Sequence, residues 1–342
     1  MLRCITLAKN GLGTTAPNPM VGCVVVYDKK IIGEGYTSPY GGAHAEVNAI
    51  NSVKDKSILS KSTLYVTLEP CAHYGRTPPC VNLILKHKIP RVVIGIKDPN
   101  KKVAGKSISL LKEDGCEVVL GVLKKECRQH HQRFLSFQEK QRPYIILKWA
   151  ETLDGFIAPD ESLRRKNPEP YWITNTHSKQ LVHKWRTEEQ AILIGTKTAL
   201  EDNPKLTVRN WKGTNPIRIV LDKELKIPAN YHLLDTTVKT IILTTITDTT
   251  KYIDEINYEV IPFENIPKEV ATIAYSYEIN SIIIEGGTTI LQSFIDVNLW
   301  DEARIFKGNT SFIKGIKAPV IAGKEIEKQQ LLNDELIILT ND

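Results

Sequence analysis

Three residues in the first half of the chain carry metal-binding chemistry and restrict the fold, because they must meet in space. His44 belongs to one stretch, and Cys71 and Cys80 belong to another. One imidazole and two thiolates suit zinc, and a tetrahedral site with three protein ligands keeps its fourth position for water. Either the chain folds so that these stretches come together, or the residues are only a helix-capping histidine and two buried thiols.

Glu46 lies two residues after the histidine and has a different predicted role. It is too close to His44 in sequence to be the natural fourth ligand, but it is well placed to move protons for a zinc-bound water. Zinc deaminases of nucleobases use this set of groups, written H-x-E and then P-C-x-x-C. Here eight residues, 72–79, separate the cysteines instead of two. Arg76 lies in this loop, from which it could reach a substrate phosphate.

The composition excludes several classes of protein. A chain of 342 residues suggests two domains, and 42% hydrophobic with 25% charged residues is typical of a globular protein. No apolar stretch is long enough to span a membrane, and no secretory signal is visible, so we expect a cytoplasmic protein without a membrane partner. The net charge of +6 is either a surface bias or a set of cations for phosphate-bearing ligands. No block of like charge resembles a nucleic-acid-binding tail.

Apolar β-branched runs alternate with helical patterns along the chain, which predicts layered α/β domains. In the first half the predicted strands are residues 21–27, 30–35, 63–68, 91–96 and 117–120. The predicted helices are residues 1–10, 44–53, 104–114 and 123–139, together with one that begins at Cys80. The segment Gln141-Arg142-Pro143 is the predicted boundary between domains 1–143 and 144–342.

The second half continues the same alternation. Its predicted strands are residues 144–149, 191–195, 217–221, 239–243 and 281–284. Its predicted helices are residues 176–188, 267–278 and 288–297, and residues 159–170 are predicted to form a loop. No G-x-G-x-x-G follows a strand, so a Rossmann site is not indicated. The pair Gly286-Gly287 either makes a tight turn or lets backbone amides approach a phosphate at a helix start.

The run 67–80, T-L-E-P-C-A-H-Y-G-R-T-P-P-C, resembles the long-loop cysteine motif of the bifunctional riboflavin biosynthesis family, which fuses a pyrimidine deaminase to a reductase. Residues 18–22, N-P-M-V-G, are similar to the family's early N-P-x-V-G motif, and residues 97–105 are similar to a later one. The resemblance implies zinc binding by His44, Cys71 and Cys80, proton transfer by Glu46, and substrate binding by Asn18 and Arg76. Some relatives carry a histidine where this chain has Thr37, so Thr37 is not among the predicted site residues.

The second half resembles the reductase of the same family, whose fold is like that of dihydrofolate reductase. The matching segments are residues 148–158, 172–174, 195–198, 202–209 and 285–287. The resemblance implies NADPH contacts from Ala150, Trp172, Thr198, Asp202, Gly287, Thr288, Thr289, Ile290, Leu291, Gln292 and Ser293. It implies substrate contacts from Lys148, Arg186, Leu206, Arg209 and Glu285, with the arginines on the substrate phosphate. The match fails around Pro170, where relatives carry a small polar residue.

The expected fold is therefore an N-terminal cytidine-deaminase-like α/β/α layered domain followed by a dihydrofolate-reductase-like α/β domain. The expected activity is hydrolytic deamination of a diaminopyrimidinone ribose phosphate by zinc-bound hydroxide, followed by NADPH-dependent reduction of the ribosyl to a ribityl chain. The expected partner is a phosphorylated pyrimidine and not a nucleic acid, and homo-oligomerisation is left open. The alternatives are a tRNA or nucleoside deaminase with an unrelated C-terminal domain, a zinc-stabilised binding module, and an enzyme with one inactive half.

Overall fold

The structure, a computed structural model, describes residues 1–74, 78–100, 104–166 and 171–341, with the backbone alone for residues 164–166. The chain divides into two units, Met1–Arg142 and Pro143–Asp342. Each unit contains its own sheet and its own hydrophobic core.

The first unit is built on a five-stranded sheet with the order β2-β1-β3-β4-β5. Its strands are β1 (Gly22–Tyr27), β2 (Lys30–Tyr36), β3 (Thr63–Leu68), β4 (Arg91–Ile96) and β5 (Glu117–Leu120). Its helices are α1 (Leu2–Ala8), α2 (Ala45–Ser52), α3 (Cys80–Lys86), α4 (Lys106–Glu113), α5 (Lys124–His130) and α6 (Gln132–Lys140). β1 runs antiparallel to β2 and β3, whereas β3, β4 and β5 are parallel. The mostly buried apolar residues of β1, β3 and β4 are typical of strands covered on both faces.

All five predicted strands of this unit are confirmed, but the prediction of a single helix over 123–139 is wrong in part. The chain forms two helices there, α5 and α6, which are separated at His131 (φ −91°, ψ 11°). The His131 side chain is buried, and its Nε2 atom lies 3.0 Å from the hydroxyl of Thr67 on β3. The amides of His131 and Leu135 still donate to the carbonyl oxygens of Cys127 and His131, so the two helices follow each other directly.

The second unit contains a nine-stranded sheet with the order β11-β10-β9-β8-β12-β6-β13-β16-β15. The strands of this sheet are β6 (Tyr144–Thr152), β8 (Ala191–Gly195), β9 (Ile217–Leu221), β10 (Thr240–Thr244), β11 (Asn257–Val260), β12 (Ser281–Glu285), β13 (Glu302–Gly308), β15 (Lys324–Leu331) and β16 (Asp334–Thr340). Two further strands, β7 (Phe156–Pro159) and β14 (Gly315–Lys317), form a separate pair. Its helices are α7 (Glu161–Lys166), α8 (Thr176–Glu188), α9 (Thr196–Asp202), α10 (Ile266–Ser276) and α11 (Thr288–Asp296).

The seven strands from β11 to β13 are parallel, and β16 and β15 continue the sheet antiparallel. β8 and β10 are buried along their whole length, as expected at the centre of a parallel sheet. The edge strand β15 is exposed from Lys324 to Gln330, and its pairing shifts register between Glu325 and Glu327.

The predicted strands and helices of this unit are confirmed, with end shifts of a few residues. The loop prediction for residues 159–170 is wrong in part, because α7 forms within it. The sequence did not indicate α9 or the strands β7, β11 and β13–β16.

Candidate active sites

His44 lies at the N-cap of α2, and Glu46 lies in the first turn of that helix. Two glycines of β2 allow α2 to rest directly on the sheet. A Cβ atom at Gly35 would lie 2.4 Å from the backbone nitrogen of Ala49, and one at Gly33 would lie 2.5 Å from the Ala49 carbonyl oxygen. Because neither distance is tolerable, the glycines determine how closely the helix carrying His44 packs on β2.

Hydrogen bonds from two backbone amides at the start of α3 hold Cys71 beside Cys80. Cys80 is the first residue of that helix, and its amide donates a hydrogen bond to the Cys71 sulfur, with an N–S distance of 3.2 Å. The amide of Val81 donates to the Cys71 carbonyl oxygen at 3.2 Å. Unpaired amides at a helix start favour the thiolate form of a nearby cysteine, which is the form that binds metal.

The structure brings His44, Cys71 and Cys80 together. The Nδ1 atom of His44 lies 3.5 Å from the Cys71 sulfur and 3.3 Å from the Cys80 sulfur. All three donor atoms lie within 4.8 Å of one another. In the described part of the chain, no other set of three histidine, cysteine or carboxylate side chains is gathered in this way. A tetrahedral zinc with ordinary bond lengths needs sulfur–nitrogen separations of about 3.5 Å. The donor set therefore fits zinc.

Glu46 is buried beside this cluster, with 3% of its surface exposed. Burial, and then the charge of Cys71, raise the pKa of the Glu46 carboxyl to about 7. A carboxyl group that titrates near neutral pH can both accept and donate a proton there. The residue is therefore suited to general acid–base chemistry.

Glu69 is a second buried carboxylate, which the sequence analysis did not select. One of its oxygens accepts hydrogen bonds from the amides of Asp98 and Gly105, at 3.2 and 3.0 Å. The other accepts from the hydroxyl of Ser107 at 2.8 Å. These bonds fix the end of the segment that leads from β3 to Cys71. The only sequence signal was a charged residue directly after an apolar strand.

Three further predictions concern the substrate side of this unit. Asn18 is partly buried, its amide donates to the carbonyl oxygen of Thr15 at 2.9 Å, and its side chain makes no hydrogen bond with any described residue. Thr37 is buried, and its hydroxyl accepts from the amide of Val21 at 3.0 Å. Arg76 lies outside the described residues.

In the second unit, three of the predicted substrate residues form an ion-pair cluster. Lys148 on β6 is directly opposite Glu285 on β12, and its Nζ atom lies 3.7 Å from a Glu285 carboxylate oxygen. Arg186, in the last turn of α8, donates to the other oxygen at 3.1 Å. Burial favours the neutral carboxyl group, but Lys148 and Arg186 outweigh it and lower the pKa of Glu285. Burial lowers the pKa of Lys148, and Glu285 opposes that shift.

The segment from Leu206 to Arg209 is held by α8. Leu206 is buried with a left-handed backbone (φ +52°). Arg186 donates to the carbonyl oxygen of Thr207 at 3.4 Å, and the ring nitrogen Nδ1 of buried His183 accepts from the amide of Arg209 at 3.3 Å. Burial, followed by the charges of Arg186 and Arg209, lowers the pKa of His183 to about 4. Sequence reasoning did not select His183, because its role is visible only through contacts distant in sequence.

The glycine pair lies between β12 and α11. Gly286 has φ +142°, and a Cβ atom there would lie 3.4 Å from the Thr198 hydroxyl oxygen. Gly287 is the N-cap of α11, and a Cβ atom there would meet nothing within 4 Å. The amides at the start of this nine-residue helix are thus next to open space, which suits an anionic ligand.

The other predicted NADPH residues differ in exposure. Trp172 is 65% exposed, with the Lys179 Nζ atom 3.5 Å from its ring centroid. Ala150 and Thr198 are partly buried, and Asp202 is exposed at the end of α9. Leu291 is fully buried in the core, where its side chain has no surface for a ligand.

Three other predicted residues of this helix make side-chain hydrogen bonds within the unit, whereas Thr289 is exposed and Ile290 is partly buried. Thr288 donates to the Lys317 carbonyl oxygen, Gln292 to Asp296 at 2.8 Å, and Ser293 to the Ile290 carbonyl oxygen at 2.7 Å. Their contribution to a ligand is therefore mainly through the backbone at the start of α11.

Comparison with known proteins agrees with the division of the chain into two units. Residues 1–96 match the family described as the cytidine and deoxycytidylate deaminase zinc-binding region, and residues 143–331 match the RibD C-terminal domain. The riboflavin biosynthesis protein RibD of Aquifex aeolicus is 35% identical over an alignment of 350 residues, gaps included, which covers 99% of this chain and 96% of that protein. RibD of Escherichia coli is 33% identical, with coverage of 90% and 86%.

Solved structures show the same relationship along nearly the whole chain. A deaminase/reductase from Thermotoga maritima superimposes with a TM-score of 0.89 at 34% identity, covering 99% of this chain and 97% of that one. RibD from Acinetobacter baumannii gives a TM-score of 0.88 at 31% identity, with the same coverage.

Fold and site together define a bifunctional enzyme, in which a zinc-binding deaminase domain precedes an NADPH-dependent reductase domain. The chain belongs to the RibD family of riboflavin biosynthesis proteins. The expected cytidine-deaminase-like and dihydrofolate-reductase-like folds are confirmed. Within the described residues, no helix combines the length and apolar character that a membrane span requires.

Proposed function

We propose that residues 1–143 deaminate a diaminopyrimidinone ribose phosphate and that residues 144–342 reduce the ribosyl group of the product. The observation that carries the proposal is the cluster of His44, Cys71 and Cys80 with the buried Glu46 beside it. The Thermotoga maritima relative is described as a diaminohydroxyphosphoribosylaminopyrimidine deaminase and 5-amino-6-(5-phosphoribosylamino)uracil reductase. The substrate class follows from that description.

In the deaminase half, His44, Cys71 and Cys80 would hold zinc, which supplies a nucleophilic water near neutral pH. The Glu46 carboxylate would take a proton from this water and deliver it to the ring nitrogen beside the amino-bearing carbon. The carboxylate would then take the remaining proton from the hydroxyl group added to the ring carbon and pass it to the amino nitrogen, which leaves as ammonia as the carbonyl forms. Burial raises the pKa of the Glu46 carboxyl, which suits a group that both accepts and donates a proton. Asn18, whose side-chain amide is free of bonds to described residues, would bind the pyrimidine.

In the reductase half, NADPH supplies the hydride that converts the ribosyl to the ribityl chain. Lys148 and Glu285 would contact the sugar where β12 reaches its carboxyl end beside the middle of β6, and ligands bind at that edge of parallel α/β sheets. Arg209 would bind the substrate phosphate. Arg186 already donates to Glu285 and to the Thr207 carbonyl oxygen, so we assign it to holding those groups as well as to the ligand. The cofactor phosphates would lie at Gly287 and Thr288.

Purified full-length protein tests both halves. We expect ammonia release from the diaminopyrimidinone ribose phosphate without NADPH, and ribityl product only when NADPH is added. Removal of zinc with a chelator should stop ammonia release but leave intact the reduction of substrate that is already deaminated. Ammonia release that survives zinc removal, or reduction that requires NADH instead, would contradict the proposal.

We also propose that the partner is a small molecule rather than a nucleic acid, and that the protein works in the cytoplasm. The six unpaired cysteines support a reducing compartment. A salt-sensitive gel shift with tRNA would argue for nucleic-acid binding, and we expect none.

A further inference from the structure

The segment from Asn18 to Gly22 is held by side chains from distant parts of the first unit. The first is His130 at the end of α5, whose Nε2 atom donates to the carbonyl oxygen of Met20 at 2.7 Å. Because a carbonyl oxygen can only accept, the proton must be on Nε2. Burial lowers the pKa of His130, which favours the neutral ring.

Two threonines hold the next two residues. The hydroxyl of Thr37 accepts from the amide of Val21 at 3.0 Å, and the hydroxyl of Thr67 accepts from the amide of Gly22 at 3.2 Å. Three successive residues thus have backbone groups that bond to side chains. Regular strands satisfy these groups with neighbouring backbone, so the shape of this segment depends on the side chains around it.

His131 supports the last of these contacts from behind. It is buried, its Nε2 atom lies 3.0 Å from the Thr67 hydroxyl, and its Nδ1 atom has no partner among the described residues. Its ring packs edge-on against that of His130, with 4.7 Å between the centroids. The break between α5 and α6 therefore delivers two imidazoles to the same segment.

The segment also lacks room to move at its end. A Cβ atom at Gly22 would lie 1.9 Å from the carbonyl oxygen of Cys4 in α1. The amide of Asn18 is bonded to Thr15 at the other end, while the Asn18 side chain makes no bond with described residues. The backbone is thus fixed at both ends, and the side chain is available.

We propose that His130, Thr37 and the His131–Thr67 pair are positioning residues that hold the Asn18–Gly22 segment in the shape that binds the pyrimidine. The inference rests on the proposed function, because it takes Asn18 as a substrate-binding residue. The comparison with the family indicated only that Thr37 replaces a histidine that some relatives carry. The structure assigns it a bond to the backbone of the binding segment instead.

The test uses His130→Phe in the full-length protein, which keeps an aromatic ring against His131 but removes the donor to Met20. Loss of one such hydrogen bond should raise the KM of deamination about tenfold. The kcat, the zinc content and the reduction of already deaminated substrate should stay unchanged. His130→Gln retains an N–H donor and should recover most of the affinity. His87→Phe, at a histidine whose side chain has no hydrogen bond to a described residue, should behave as the unaltered protein.

A second variant and a direct probe guard against a folding defect. Thr37→Val removes the acceptor for Val21 with little change in volume, and should give the same rise in KM. Hydrogen exchange should become faster at the Val21 and Gly22 amides in both variants. Unchanged KM and unchanged exchange in both would overturn the inference.

Asn18→Ala separates this inference from the proposed function. If Asn18→Ala raises the KM and His130→Phe does not, the positioning role is wrong and the proposed function stands. If the unaltered protein releases no ammonia, the proposed function itself fails.

Discussion

The two sites of this chain differ in how their charged and polar groups are satisfied. In the deaminase unit, the metal-binding atoms of three side chains, His44, Cys71 and Cys80, surround a common point and need a cation between them. In the reductase unit, Lys148, Arg186 and Glu285 already neutralise one another in part. The first arrangement is completed by a metal, and the second is preformed by the protein alone.

The sites also differ in how far apart their residues lie in the sequence. The zinc ligands come from two short stretches, and His44 and Glu46 share one helical turn. Arg186 and Glu285 are 99 residues apart and meet only because α8 and β12 are packed in the same unit. A local site can therefore be read from spacing, whereas a dispersed site depends on the fold.

The largest expected effect tests whether one carboxyl group serves the deaminase site. Glu46→Gln keeps the side-chain size but cannot move protons, so kcat for deamination should fall by about 10²- to 10⁴-fold. Zinc content, measured by elemental analysis, and reductase activity should be unchanged. Glu113→Gln, at an exposed position at the end of α4, is the matched control. Near-normal ammonia release by the Glu46→Gln variant would show that Glu46 is not the proton-transfer residue.

A smaller effect is expected in the reductase cluster, where charge is shared. Glu285→Gln leaves Lys148 and Arg186 without their carboxylate, at a cost of about 2–3 kcal/mol in bonds to charged groups. Glu285 raises the pKa of Lys148 against the lowering effect of burial, so its loss should lower that pKa further. The alkaline limb of the reductase pH profile should then move to lower pH.

Steady-state reduction across the alkaline range measures this shift. Glu264→Gln, exposed in the same unit, should leave the profile unchanged, and deamination should be normal in both variants. An alkaline limb that stays in place in Glu285→Gln would show that Lys148 does not control it.

The smallest effect compares the two adjacent glycines. Gly286 has φ +142°, where an alanine is strained by about 1–3 kcal/mol, so Gly286→Ala should lower the urea midpoint of the reductase unit. Gly287 has φ −74° and open space around a Cβ atom. Gly287→Ala should therefore fold normally and raise only the KM for NADPH. Equal loss of stability in the two variants would contradict this distinction.

Most of the fold was predictable because buried strands have a strong pattern. The residues of β3, β4, β5, β8 and β9 were predicted with their observed ends, since each is an apolar run bounded by turn residues. The break at His131 was not, because the helical pattern continues through it. At the break, the buried His131 side chain contacts Thr67, 64 residues earlier in the chain.

The candidate sites were predictable to different degrees for the same reason. Spacing alone suggested His44, Cys71 and Cys80, whereas Lys148 and Glu285 emerged only through resemblance to a family. Glu69 and His183 were missed, since a buried carboxylate and a neutral imidazole reveal their roles only through the amides that they bind. No periodicity in the sequence reports such contacts.

The exposed edge strand β15 has a consequence for solubility. A free strand edge offers unpaired amides and carbonyl oxygens to any other extended chain, and such edges promote aggregation. Here the sequence from Lys324 to Gln330 is rich in charge, and its register shift interrupts the regular spacing of backbone groups. Both features oppose the addition of a foreign strand, so the largest sheet of the protein ends at an edge that discourages further growth.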